Sequence, residues 1–173
     1  MSIKIKIICF DEATEAIAIR SVLERFHFKV ELAHVGRPND FLNELNDPDS
    51  KYIILSGHGS SKQFNMPELG EGVYETCEPK NITSEVIKER INVSNKVIIS
   101  TACSTGSEEL AKEFINKQNI YIAPRDDIEE PASLLFVIRF FYEHLVMNKS
   151  IKESFNIVRE NDNETNLYKL FME

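Results

Sequence analysis

Two side chains in this sequence stand where a nucleophile and a base are useful. His58 follows the buried-looking run 52–56 within Ser56-Gly57-His58-Gly59. Cys103 follows the run 96–100 within Thr101-Ala102-Cys103-Ser104-Thr105-Gly106. Both runs are apolar and rich in β-branched residues, the pattern of a strand covered on both faces. If the two strands lie parallel in one sheet, their carboxyl ends share an edge, where open α/β sheets place their sites. An imidazole and a thiol on neighbouring loop tips are the pair that a cysteine nucleophile and its general base require. Glycines around His58 would let the backbone approach a ligand and adopt positive φ, and the Gly59 N–H could face a developing oxyanion. Cys103 is read at a strand-to-helix passage, where N–H groups and the helix dipole favour a thiolate. Glu108 and Glu109 oppose that effect in part. The plainer alternatives are a buried inert thiol and a histidine that merely ends a strand.

The remaining candidates are weaker. Asp126 and Asp127 follow the next expected strand, either as the acidic floor of a pocket for a basic side chain or as caps of the following helix, with Glu129 and Glu130. Cys9 lies within a strand and Cys77 in a glycine-containing stretch, and both are read as structural. His27, at a helix end, and His34, before a turn, read as surface or half-buried residues, and His144 lies on the polar strip of the long helix. Zinc would need more ligands at fixed spacing than His58 and Cys103 offer, so no metal or cofactor is expected. The loop 100–106 lacks the Gly-Lys-Ser/Thr of a nucleotide cradle. Thr101 stands where a nucleophile elbow needs glycine. A phosphatase-type loop would want an arginine just past the cysteine, where the residues are acidic.

The bulk properties narrow the class. A length of 173 residues suits one domain, 1–173, with a real core. A net charge of −8 argues against a nucleic-acid or anionic-membrane footprint and leaves basic partners and peptide substrates open. No stretch approaches a membrane span, and the first ten residues are too short and interrupted for a signal segment. Three cysteines without repeating spacing do not form a disulfide framework, so a reducing cytoplasm is the expected compartment.

The elements that must position the pair follow an alternating order. Strands are expected at 3–10, 28–33, 52–56, 96–101 and 119–123. Asp11 is read as the cap of a first helix with the stripe Ala13, Ala16, Ile17, Ile19, Arg20, Leu23 and Phe26. Short helices follow at 40–45 and after Thr83, then at 108–115. Pro131 opens a helix over 132–147 that is apolar nearly all round and should pack deeply. One more helix spans 151–158, and 167–171 could return to the sheet. Residues 60–80 read as a hairpin or flap of 63–66 and 73–77, overhanging the His58 edge. The β-α-β order argues for a parallel sheet.

In this order and context, the two motifs resemble those of the caspase-like (clan CD) cysteine peptidases. The likeness is nearer to the CHAT branch, which includes relatives of separase. It runs from about residue 52 to 159. It takes in Asn81-Ile82-Thr83-Ser84-Glu85-Val86-Ile87, Tyr121-Ile122-Ala123-Pro124-Arg125-Asp126-Asp127, Phe140-Phe141-Tyr142-Glu143-His144-Leu145 and the run 152–159. The resemblance implies a three-layer α/β/α sandwich around a mainly parallel sheet. It implies a His58–Cys103 dyad with no obligatory third member, an oxyanion hole of the Gly59 and Cys103 N–H groups, and a basic P1 residue bound by Asp126 or Asp127. The function expected is that of a cysteine endopeptidase acting on a protein or peptide. The alternative is a catalytically silent caspase-fold module that binds or regulates within a larger assembly. A cleft filled by Met66 or Tyr74 would favour the alternative. No helical-repeat domain precedes the fold, so any regulatory partner is expected to be a separate chain.

Overall fold

The computed structural model describes residues 3–173. Its centre is a six-stranded sheet in the order β2-β1-β3-β7-β8-β9. The strands are β1 (Lys4–Cys9), β2 (Lys29–His34), β3 (Tyr52–Ser56), β7 (Val97–Ser100), β8 (Ile120–Pro124) and β9 (Tyr168–Phe171). Every pairing is parallel except that of β9 on β8. A second sheet, β4 (His58–Gly59), β5 (Gln63–Asn65) and β6 (Ile82–Thr83), is small and antiparallel.

The period of two in the strands sorts side chains into two apolar layers. Ile5, Ile7, Cys9, Ile54, Val97 and Ile99 pack on one face, with Ala16, Ile19 and Leu23 of α1 (Thr14–Arg25), Phe136 and Phe140 of α5 (Glu130–Phe141), and Phe155 of α6 (Ile151–Arg159). Ile8, Ile53, Leu55 and Ile98 face the other way. They meet Phe41 and Leu45 of α2 (Pro38–Leu45), Ile87 of α3 (Ser84–Arg90), and Leu110 and Phe114 of α4 (Glu108–Ile115). The result is the expected helix–sheet–helix sandwich.

Several boundaries differ from the sequence reading, each for a visible reason. Asp11 does not cap α1. The N-cap is Ala13, which makes no side-chain cap bond, and the Glu12 carboxylate accepts the Thr14 N–H instead. The helix expected through 147 ends at Phe141 and continues as a π-helical turn, Tyr142–Val146, closed by Met147 N–H donating to the Tyr142 carbonyl at 2.9 Å. Its buried Glu143 is held between Arg139 and Lys149. Nor is that helix buried all round, since Leu135 is 60% exposed. The 60–80 stretch is not a hairpin of 63–66 on 73–77. The segment after Gly59 folds straight back, and β5 pairs with β4 and β6, which leaves 73–77 in turns. Thr83 does cap α3, accepting from Val86 N–H, and Pro131 does sit in the first turn of α5. The tail returns as β9, where the Tyr168 ring stacks on Phe136 with centroids 3.6 Å apart.

Lys6, Lys96 and Glu143 are charged residues that are buried. Lys6 is 2% exposed, and its ammonium lies 2.6 Å from both Glu44 and Asp47 and 3.3 Å from Glu31. Burial pushes the Asp47 carboxyl up, but bonds from Lys6 and from the Asp49 N–H outweigh it and hold the group at about 2. A carboxyl held below its ordinary 3.8 contributes stability that is complete above that pH and is lost as pH falls toward 2. Lys6→Met should therefore lower the urea-unfolding free energy at pH 6 by about 1–3 kcal/mol. It should also flatten the fall in stability between pH 4 and pH 2.5, as urea titrations at the three pH values would read.

Candidate active site

β3 and β7 are direct neighbours, paired parallel with Tyr52 opposite Val97 and Leu55 opposite Ser100. Both chains leave the sheet at the same edge, one toward His58 and the other toward Cys103. The two side chains line one cleft of about 440 Å³. The β1–α1 connection adds Asp11 and Glu12 and the first turn of α1 adds Glu15, the β8–α5 connection adds Asp127 and Glu129 and the start of α5 adds Glu130, and Glu164 comes from the tail. No lysine or arginine among the described residues lines it.

His58 is exposed, and its Nε2 lies 2.7 Å from the Asp11 carboxylate. A carboxylate only accepts, so this ring nitrogen carries a proton. Nδ1 is then the nitrogen left to exchange a proton with a substrate or a sulfur. Asp11 is itself steadied through its backbone, where the His34 ring bonds the Asp11 carbonyl at 2.8 Å. Sequence reasoning assigned Asp11 to a helix cap and gave His34 a plain surface role. Their real places follow from β1 lying beside β3, a strand order that the sequence does not display.

Cys103 is half-buried on a turn over 102–104, with Ser104 at φ 59°. Its Sγ receives the Ile128 N–H at 3.5 Å and lies 3.7 Å from the Ile128 carbonyl, to which the thiol can donate. The helix begins where the sequence places it, beyond the cysteine loop. Helix α4 starts at Glu108, capped by Ser107 through Leu110 N–H, five residues beyond Cys103. The loop is held by β8 and its own hydroxyls. Gly106 N–H donates to Pro124 O at 2.7 Å and Ser104 N–H to Asp126 O at 3.0 Å. Thr105 Oγ1 bonds the Ala102 carbonyl and Ser100 Oγ.

The glycines matter for room, not for backbone sign, because none of them has positive φ. A Cβ on Gly57 would meet the Phe10 ring at 2.5 Å. One on Gly59 would meet Thr105 Cγ2 at 2.4 Å and lie 3.2 Å from the Cys103 carbonyl. The His58 segment and the cysteine loop are thus in van der Waals contact through Gly59.

The aspartate pair divides. Asp127 lines the cleft and accepts from Ser104 Oγ at 3.1 Å. Asp126 does not line it, and its carboxylate accepts the Asp127 N–H at 2.9 Å. Neither caps α5, whose N-cap is Glu129. Residues 60–80 contribute nothing to the cleft, contrary to the flap reading, because β5 folds back onto β4. Met66 and Tyr74 line a separate groove with Asn81 and do not fill this one. Cys9 is buried beneath the edge, where burial pushes its thiol up, and Cys77 is exposed in a turn. His144 bonds Tyr52 and the Lys149 carbonyl, and His27 ends α1 at φ 68°.

No protein-family model matches the chain, and no curated protein matches it by sequence. Solved structures do match. Separase from Saccharomyces cerevisiae, determined in complex with securin, superposes over 99% of this chain with a TM-score of 0.63 and 12% identity. A secreted C11 cysteine protease from Bacteroides thetaiotaomicron, bound to an irreversible peptide inhibitor, superposes over 92% with a TM-score of 0.56 and 14% identity. The chain spans 12% of the former and 57% of the latter. The fold is caspase-like. The same fold is thus carried here by a sequence only 12–14% identical to those neighbours.

The tight fit at Gly59 is open to a direct check. Gly59→Ala should push Thr105 and the cysteine loop outward. It should destabilise the caspase-like domain by about 1–3 kcal/mol, measured as a lower urea midpoint at unchanged m-value.

Proposed function

We propose that this chain is a cysteine endopeptidase that hydrolyses peptide bonds in a protein substrate through a His58–Cys103 dyad. The observation that carries the proposal is that both side chains line one acidic cleft, with the imidazole already oriented by Asp11. The Cys103 thiol passes its proton to His58 Nδ1 as the sulfur attacks the scissile carbonyl, and the carbonyl electrons move to oxygen. The Gly59 and Cys103 N–H groups receive that oxyanion. Collapse of the intermediate breaks the C–N bond, and His58 gives its Nδ1 proton to the departing amine. Water, deprotonated by His58, then cleaves the thioester and restores the thiol. Asp11 adds a third member that the resemblance does not require. It fixes the tautomer and stabilises the imidazolium, as the carboxylate of a serine-protease triad does. The acidic lining favours a basic P1 residue. Asp127, and not Asp126, stands in the cleft from the pair first considered.

We place the enzyme in the CHAT-like, separase-related branch, with 1–173 acting as one catalytic domain in a reducing compartment. The yeast separase structure contains securin, and a separate regulatory protein chain is the corresponding partner proposed here. The neighbours share the fold at 12–14% identity, so the activity rests on the site and not on them.

Cys103→Ala should abolish both turnover of a fluorogenic peptide library and labelling by a peptide acyloxymethyl ketone. His58→Ala should lower kcat by roughly 100-fold or more. Asp11→Asn should lower kcat by roughly 10–100-fold with little change in KM. Wild-type protein that neither cleaves the library nor takes the label would overturn the proposal in favour of a silent binding module.

A further inference from the structure

Ser100, Thr105 and Tyr121 place three fully buried hydroxyls under the cysteine loop. Ala102 N–H donates to Ser100 Oγ at 3.1 Å, and Ser100 Oγ lies 2.8 Å from Thr105 Oγ1. Thr105 Oγ1 in turn donates to the Ala102 carbonyl at 2.7 Å, while its own N–H lies 3.5 Å from the same oxygen. A carbonyl oxygen only accepts, so the single Thr105 hydroxyl proton is committed there. The Ser100 proton must then go to Thr105 Oγ1. The bonds form a closed ring that begins and ends on Ala102, every hydroxyl accepting on one side and donating on the other. Tyr121 OH donates to the Thr105 carbonyl at 3.1 Å and holds the far side of the same residue.

The carbonyl that Thr105 holds belongs to the peptide group that also contains the Cys103 N–H. In a planar trans peptide the C=O and the N–H point in opposite directions. Anchoring the oxygen on a buried hydroxyl therefore turns the Cys103 N–H away from that hydroxyl, and the N–H donates to no group among the described residues. Gly59 offers a second free donor by a different route. The bond from Ser60 N–H to the Gln63 carbonyl at 2.9 Å closes the turn between β4 and β5, so Gly59 and Phe64 form the next, non-hydrogen-bonded pair. The Gly59 N–H thus points away from β5. Thr105 also supplies the Cγ2 methyl that a Cβ on Gly59 would strike at 2.4 Å. One side chain reaches both donors: its hydroxyl sets the peptide of one, and its methyl packs against the residue of the other.

We infer that Thr105 is a positioning residue of the oxyanion hole, and that its hydroxyl aims the Cys103 N–H at the carbonyl oxygen of the bound peptide bond. The inference rests on the endopeptidase reading and adds to it a group that never meets the substrate. Without the hydroxyl, the Ala102 carbonyl stays buried and loses its short bond, and the peptide group turns to recover one.

The test exploits two reactions of the same sulfur. Iodoacetamide alkylates it by displacing iodide, and no oxyanion forms. A peptide aldehyde adds it across a carbonyl, and the new oxygen needs the hole. Thr105→Val keeps the shape and the methyl against Gly59 and removes the hydroxyl. It should lower kcat by roughly 10–100-fold at nearly unchanged KM. It should weaken the peptide aldehyde by a similar factor and leave the iodoacetamide rate close to that of wild type. Thr105→Ser, which keeps the hydroxyl, should recover most of kcat. Parallel losses in alkylation and turnover, or a Thr105→Ser as impaired as Thr105→Val, would assign the threonine a packing role and overturn the inference. So would a Thr105→Val with wild-type kcat.

Ser100→Ala guards against a Thr105 variant that does not fold. It opens the ring on its other side, so it should show the same split between aldehyde and iodoacetamide with a smaller fall in kcat, roughly 3–10-fold. Absence of that split would also overturn the inference. Wild-type protein that alkylates yet neither cleaves peptides nor binds the aldehyde would overturn the endopeptidase reading itself. That outcome is distinct from normal turnover that Thr105→Val leaves untouched.

Discussion

The parallel pairing of β3 with β7 is the constraint on which the rest depends. Two runs buried on both faces have no solvent-facing side to choose, so their register is set by packing against helices above and below. That register places Leu55 beside Ser100 and sends both chains out at the same edge. The site is thus a by-product of core formation. Neither His58 nor Cys103 contributes to the main sheet, and each inherits its position from the short, buried strand before it.

The sandwich then adds two restraints of different kinds. One is steric: Gly59 lies so close to Thr105 that the His58 segment and the cysteine loop pack as one body. The other is polar: the hydroxyls of Ser56 and Thr101 meet on one oxygen of Glu15. The cysteine turn is further sewn to β8 through Gly106 and to the loop after it through Ser104. A loop tied on several sides holds its sulfur in one place, which is the pre-organisation that covalent catalysis asks of a scaffold.

What the sequence disclosed and what it withheld divide along a physical line. Strands 52–56 and 97–100 were visible because burial on both faces demands unbroken apolar runs. Helix α4 was visible because Leu110, Ala111 and Phe114 repeat with helical spacing. The return of 168–171 to the sheet was legible only as a short apolar patch after a polar tail. Asp11 was misread, and Glu15 passed over, for a different reason. An acidic residue after a strand and another in the first helical turn are what helix capping also requires, so local pattern favours the commoner use. Only the strand order, with β1 between β2 and β3, brings them to His58 and Ser56. The 73–77 segment was misplaced because alternating character is shared by strands and by exposed turns. The glycines around His58 were correctly singled out, but for backbone freedom when the need was space beside Phe10 and Thr105.

The two borders of the main sheet bear on how the molecule behaves in a crowd. Strand β2 presents Lys29, Glu31 and His34 outward, and β9 is only four residues long and carries Lys169. Unpaired backbone along a sheet border is a template for aggregation, and charged or short border strands blunt it. Growth by strand addition from a second molecule is discouraged at both ends, so this protein should stay dispersed at concentrations where a flat apolar border would nucleate fibrils.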